Sequence, residues 1–553
     1  MLNNNAEPIK MKPLKDLNLG FNDAENYKRK DEKELFNRVF LKTDALDKLR
    51  KSSTFFLLGE KGTGKTAHAM YLVNNADENV KYSINFLRDA GYEKFVSLKK
   101  KNALELSEYR DIWKPILYLL LSEMARRNES NIITRYFKFS AIESAIDEFY
   151  ESAFAPEIVS SIRFIEDTKI SAELMAKFAA VSSKVGSAES IKTEFSESKY
   201  QTNLLYIQRH FEEALSSLKL EKDYVLFIDG IDIRPSTIDY DDYLACIKGL
   251  ANAIWEINNE FLSNIKDSRG RMRVVLLVRP DIFDTIGLQN QSTKLQNNSV
   301  ILEWLTTYRD SRTSGLFKVA DRLLRWQQGN PLPEGVAWNY YFPYKSVNQW
   351  TKIANDEPFV DLLRLSLYRP RDINTIMVLL RDSRISSGKA LSDDDVFTAS
   401  DINDRRFLDK YSNYLLGEIK DQFSFYYSRD EYEIFREFFE YLYGKIAFSY
   451  DEYLDAYQSF YDNIVIGERK VPEFLENSSK FLQLLYELNV ICYRERPDDE
   501  YDREVFIHWC FRERSVTNPA PKIKPNLEYV VHSGLVNALN LGKPLNKPKQ
   551  KRY

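Results

Sequence analysis

The chain has 553 residues, too many for one hydrophobic core, and at about 150 residues per domain it should hold about two to four domains. Its 78 Lys and Arg stand against 82 Asp and Glu, a formal net charge of -4, which excludes the global basic excess of a protein that coats nucleic acid but not a local basic patch. Hydrophobic residues at 44% and aromatics at 14% exclude a largely disordered chain, while glycine, at 19 residues, is roughly half as frequent as usual, so a cluster of it needs a reason.

Three dispersed cysteines (Cys246, Cys492, Cys510) make neither a disulfide framework nor a zinc spacing, which points to a reducing, cytoplasmic setting. The four histidines (His68, His210, His508, His532) share no local ligand spacing. No apolar segment marks the first thirty residues, and Ile116 to Leu121 is a short run inside an amphipathic stretch, so neither a signal peptide nor a membrane span is expected.

In chain order, a polar arm leads into a predicted helix from Lys30 to Leu49 and a strand from Thr54 to Leu58. The dense glycine cluster follows, then a helix from Thr66 to Asn74, a strand from Val80 to Phe86, and a long helix from Tyr109 to Arg127 that Pro115 should bend. Ala176 to Phe195 is polar and small, fitting a hairpin insertion or a loop equally well. Beyond it come a helix (Gln201 to Leu220), a strand (Tyr224 to Ile228), a helix (Tyr240 to Leu262) and a strand (Val274 to Val278). Continuous apolar strands alternating with helices predict a parallel sheet covered on both faces. From Ser299 helical patterns dominate to Leu391, and the acidic stretch opening at Ser392 marks a boundary.

The glycine cluster, Gly59-Glu60-Lys61-Gly62-Thr63-Gly64-Lys65-Thr66, fills G-x-x-x-x-G-K-[ST], the Walker A pattern, at every position, directly after a predicted strand and directly before a predicted helix. Successive backbone N–H groups of such a loop wrap nucleotide phosphates, which needs glycine for close approach and positive φ. Lys65 would neutralise β/γ charge and the Thr66 hydroxyl would ligate Mg²⁺. Asp229, ending an apolar strand, is the choice for the metal-side (Walker B) carboxylate, the alternative being a turn cap. Gly230 cannot serve as a base, so Asp232 is the nearest acid to position water, unless it only caps the next turn. Arg279, directly after the strand Val274 to Val278, reads as a phosphate sensor or as the partner of Asp281 or Asp284.

FLLGEKGTGKTA (Phe56 to Ala67), FIDGID (Phe227 to Asp232), VVLLVRPDIFD (Val274 to Asp284) and YRPRDIN (Tyr368 to Asn374) together resemble bacterial FunZ-like P-loop ATPases, similar in architecture to STAND and origin-recognition ATPases. Gly20 to Glu25 (GFNDAE) and Tyr529 to Leu535 (YVVHSGL) join the resemblance, which spans most of the chain, though only the P-loop is highly specific. It implies that the RPRD element opens a lid helix beside the nucleotide, making Arg369 or Arg371 a second sensor, or else a cap of its own helix. Arg309, Arg312, Arg322 and Arg325 offer no pattern that singles out an arginine finger.

After the aromatic and acidic segment Asp421 to Gly444, Ser449 should cap a helix, Ser478 to Leu488 reads as another, and Val490 to Arg494 and Val505 to Phe511 flank a Pro497-Asp498-Asp499 turn. Helices followed by a hairpin make a winged-helix pattern. Its candidate recognition helix carries only Lys480 as a base, against Glu487, whereas Arg494, Arg496, Arg503 and the lysine-rich tail are available for phosphate contact, so protein and DNA both remain as partners.

The expected fold is α/β: a P-loop NTPase with a parallel sheet, then a helical lid and a winged-helix-like carboxy-terminal domain. Its expected parts are 1–50 (arm and helix), 51–298 (ATPase domain), 299–391 (lid) and 392–553 (winged-helix-like block with basic tail). The resemblance implies an Mg²⁺-dependent ATPase acting as a switch in bacterial defence or a mobile element, controlling oligomerisation or an effector protein from a neighbouring gene. The rivals are an ATP-dependent DNA-binding protein similar to origin-recognition ATPases and a nucleotide-locked scaffold with negligible turnover. No membrane partner is expected.

Overall fold

Continuous apolar runs need cover on both faces, and here they build one five-stranded parallel sheet. Its strands are β1 (Phe56–Leu58), β2 (Val80–Phe86), β3 (Asp223–Asp229), β4 (Met272–Val278) and β5 (Ser299–Ile301), ordered β2-β3-β4-β1-β5. The computed structural model describes residues 11–87, 109–128, 138–152, 197–347, 352–386, 392, 394–496, 505–515 and 518–543. Ala176 to Phe195, the Pro497-Asp498-Asp499 turn, Arg503 and most of the lysine-rich tail lie outside them. No helix among the described residues is long and apolar enough to cross a membrane.

The chain divides into two compact units. The first, the sheet unit, comprises Thr43–Gly59 and Lys65–Leu302; the second, the helical unit, comprises Met1–Lys42, Glu60–Gly64 and Glu303–Tyr553.

In the sheet unit every residue of β4 is buried, as is β3 from Tyr224 onward. Register pairs Leu58 with Val278 on one side and Ile301 on the other, and Ile228 with Leu276. The third strand in the chain, β3, therefore lies beside β4, which separates it from β1. The short β5 was not expected, because its three residues carry too little pattern. The helix Tyr109–Asn128 continues through Pro115 and packs on Tyr240–Glu256. There Trp113 Nε1 donates to Cys246 O at 3.1 Å, and a Cβ on Gly249 would lie 2.4 Å from Tyr109 Cβ, so glycine permits the approach. The helix expected to reach Leu262 stops at Glu256 and passes into a π turn, Ile257–Phe261. That turn presents Asn258 to β4, where its side chain accepts from Val274 N at 2.9 Å and donates to Val274 O at 2.7 Å.

The expected helix from Lys30 to Leu49 is two helices, Lys30–Val39 and Asp44–Arg50. The first ends where Arg322 takes its last carbonyls, donating to Arg38 O at 2.9 Å and Val39 O at 3.2 Å. The helical unit also holds Gly315–Arg325, Phe359–Leu365, Pro370–Ile385, Arg405–Tyr426, Tyr450–Ile466 and Ser478–Glu487. A two-stranded ladder joins β6 (Ser346–Val347) to β7 (Ala354–Asp356). Four antiparallel strands, β8 (Ala447–Ser449), β9 (Ile491–Glu495), β10 (Phe506–His508) and β11 (Glu528–Val531), are ordered β10-β9-β11-β8. The expected hairpin is present, with Phe506 opposite Glu495, but in a sheet of four strands. Phe423, Phe435, Phe438, Phe474 and Phe481 are fully buried and stack edge to face, explaining the aromatic richness of the segment from Asp421. Ser449 caps its helix through a reciprocal box with Glu452.

Candidate functional site

At the carboxyl end of the parallel strands, the edge where α/β sheets carry ligands, the sheet unit gathers four of the residues singled out by sequence. Gly59 follows β1, Lys65 and Thr66 open the next helix, and Asp229 ends β3. Thr66 Oγ1 donates to Asp229 Oδ2 at 2.6 Å, joining residues 163 positions apart. Lys65 is buried; its Nζ donates to Gly59 O at 2.8 Å and pairs with Asp232 Oδ2 at 3.2 Å. Burial pushes the Asp229 carboxyl above its ordinary value; the Thr66 hydrogen bond opposes this, Asp232 adds to it, and Lys65 and the Gly230 N–H oppose it again. Gly230 sits at φ +93°, and a Cβ there would lie 2.5 Å from Leu87 O, so this position needs glycine for conformation and for space.

Arg279 lies just past β4, the strand between β1 and β3. Its side chain is buried against Asp281, with Nε donating to Oδ1 at 3.0 Å and Nη2 to Oδ2. The geometry is thus that of the local ion pair, on the strand where a sensor was expected.

In the helical unit, Glu60–Gly64 meets residues from four distant segments. Lys61 O accepts from Arg369 Nη1 at 2.9 Å, Gly62 O from Arg371 N at 3.3 Å, and Thr63 O from Trp304 Nε1 at 2.9 Å. Lys61 Nζ pairs with Glu418 at 3.3 Å and with Asp421, and Glu60 pairs with Arg514. Gly62, at φ +88°, lies so near that a Cβ would come within 3.2 Å of Arg371 Cβ.

Arg369 grips Asp372 with two bonds, 2.8 and 2.7 Å, both side chains buried. Burial disfavours the Arg369 charge, but Asp372 outweighs it and raises the guanidinium above its ordinary value. Arg371 is less enclosed: it contacts Glu418 at 3.2 Å and donates to Asn22 O at 3.2 Å. Burial raises the Glu418 carboxyl, yet Lys61, Arg369 and Arg371 together hold it below the usual range.

The other two resembling segments fall in the same unit. Asn22, from GFNDAE, also accepts from Asn374 at 2.9 Å. His532 and Ser533, from YVVHSGL, bond to Ser366 O at 3.2 Å and Arg364 O at 2.7 Å, immediately before YRPRD. Lys480 of the candidate recognition helix is occupied by Glu473 and Glu476, at 2.8 and 3.1 Å. Sequence reasoning missed Trp304, Glu418, Asp421 and Arg514 as partners of the loop; no local signal marks them, since the last is 454 positions from its partner.

Fold and geometry define an α/β protein whose parallel sheet is compatible with a nucleotide-binding fold. Among the described residues, no group of three or more His, Cys, Asp and Glu could hold a metal ion. A scan against protein-family models gives no match, and a search of curated proteins gives none.

Proposed function

We propose that the chain is an Mg²⁺-dependent ATPase whose nucleotide state drives a conformational switch. The observation that carries this reading is the 2.6 Å contact between the Thr66 hydroxyl and the Asp229 carboxylate, the last residue of the glycine motif meeting the strand-end acid. Two hard oxygens so close fit Mg²⁺, which takes one or two protein ligands and completes its shell with phosphate oxygens and water. Thr66 and Asp229 would hold that ion, which when bound would neutralise charge developing on the phosphates.

Gly59 to Thr66 would bind the phosphates through backbone N–H groups. The Lys65 ammonium, now shared between Gly59 O and Asp232, would exchange these contacts for β/γ oxygens. Asp232 would then be released to orient the attacking water, a task closed to Gly230. Arg279 would reach a phosphate only by giving up Asp281. Arg369 would have to abandon a buried pair, whereas Arg371 has less to lose, so Arg371 is the better second sensor. The family resemblance supplies the biological setting of the proposal: control of oligomerisation or of a partner effector in bacterial defence.

Binding and hydrolysis of ATP with Mg²⁺, measured for the parent chain, Lys65→Ala and Asp232→Ala, test this. Expected are binding and turnover in the parent, loss of both in Lys65→Ala, and loss of turnover with binding kept in Asp232→Ala. A parent that binds no nucleoside triphosphate overturns the reading; binding without turnover leaves a nucleotide-locked scaffold.

A further inference from the structure

In a trans peptide the N–H of one residue points opposite to the carbonyl of the residue before it. The carbonyls of Lys61, Gly62 and Thr63 are all turned to donors, Arg369, Arg371 and Trp304, so the N–H groups of Gly62, Thr63 and Gly64 face the other way. The Thr63 N–H closes onto Glu60 O at 3.2 Å. Loop shape is therefore set from behind, by residues outside the motif.

Two of the motif's four variable positions, Glu60 and Lys61, add charge to this arrangement. Glu60 is neutralised by Arg514, which is buried, and Lys61 by Glu418 and Asp421. Without Arg514, the Glu60 carboxylate would lose a buried cationic partner within a loop proposed to receive a polyanion. Loss of Arg514 would thus act twice, freeing the loop and adding repulsion.

We propose that Arg514, with Glu418 and Asp421, positions the glycine loop, holding Glu60 and Lys61 so that the loop amides stay in the arrangement a phosphate requires. This rests on the reading of Gly59 to Thr66 as a phosphate site. Such preorganisation improves affinity by removing the ordering cost from binding.

The test compares Arg514→Ala, Glu60→Gln, and the charge swap Glu60→Arg with Arg514→Glu, all in the full chain. Hydrogen exchange of the amides from Gly62 to Lys65, without nucleotide, reads the loop itself; equilibrium binding of ATP with Mg²⁺ reads its consequence. Exchange should quicken about tenfold in Arg514→Ala and in Glu60→Gln, and affinity should fall about tenfold in Arg514→Ala, since coupling across such a pair spans roughly one order of magnitude. High salt should recover part of the affinity lost in Arg514→Ala, and the swap should return both readouts close to the parent. Unchanged exchange and affinity in Arg514→Ala, or a folded swap that restores neither, overturns the proposal. If the parent binds no ATP, the phosphate reading fails by itself, and exchange in Glu60→Gln still decides whether the pair holds the loop.

Discussion

The sheet unit and the helical unit place their residues by different means. In the sheet unit Gly59, Asp229 and Arg279 stand at the ends of strands whose register is set by backbone hydrogen bonds. In the helical unit, Glu60–Gly64 is placed largely by side chains: Trp304, Arg369, Glu418, Asp421 and Arg514. A ladder tolerates side-chain change because every residue contributes the same groups. Side-chain ties concentrate the dependence on single residues, and buried ionic ones most of all.

The largest expected effect probes that concentration. Asp372 is fully buried and accepts from Arg369, from Leu367 N at 2.9 Å and from Tyr414 Oη at 3.2 Å. Asp372→Asn takes away the buried carboxylate that holds Arg369, leaving Glu418 at 3.9 Å as its anionic neighbour, and should cost about 3–5 kcal/mol in denaturant unfolding, while Arg369→Met with Asp372→Leu should cost less, because neither charge of the buried pair remains. A loss under about 1 kcal/mol for the single variant would break the comparison.

Acid should come next. Burial lowers the His532 pKa from 6.5 to about 4. The unfolded chain therefore binds this proton more readily than the folded one, so stability is full above pH 6.5 and falls as pH drops toward 4. The loss should approach roughly 3 kcal/mol and be absent in a folded His532→Gln variant. An acid limb of equal size in that variant would assign the effect to other groups.

The smallest effect tests the sheet unit. Gly230→Ala meets Leu87 O and a positive φ, and should cost on the order of 1–3 kcal/mol. A neutral result would show that the backbone after β3 yields more readily than its ladder implies.

The same contrast explains what was legible in the sequence. Long apolar strands announced themselves: β2 runs from Val80 to Phe86 as expected, and β3 and β4 extend the expected runs by one or two residues at the ends. Ser449 and its helix were readable because a cap is local chemistry. The break after Val39 was not, because the group that ends that helix, Arg322, comes from 283 residues away. Nor were the ties to Glu60 and Lys61, since a motif records which positions vary but not what their side chains meet. The glycine, lysine and threonine of the loop were visible; the acids and arginine that hold its variable residues were not.

The backbone at Gly230 also closes a route in sequence space. Hydrolytic P-loop enzymes often carry a glutamate beside the strand-end acid, but no β-carbon fits at Gly230 without displacing Leu87 O. A test of the proposed hydrolysis that adds such a base therefore cannot be made by a single substitution at this position. The backbone at Leu87, just past β2, would have to move first, so the choice of residue after β3 is set by a carbonyl on a neighbouring strand's extension.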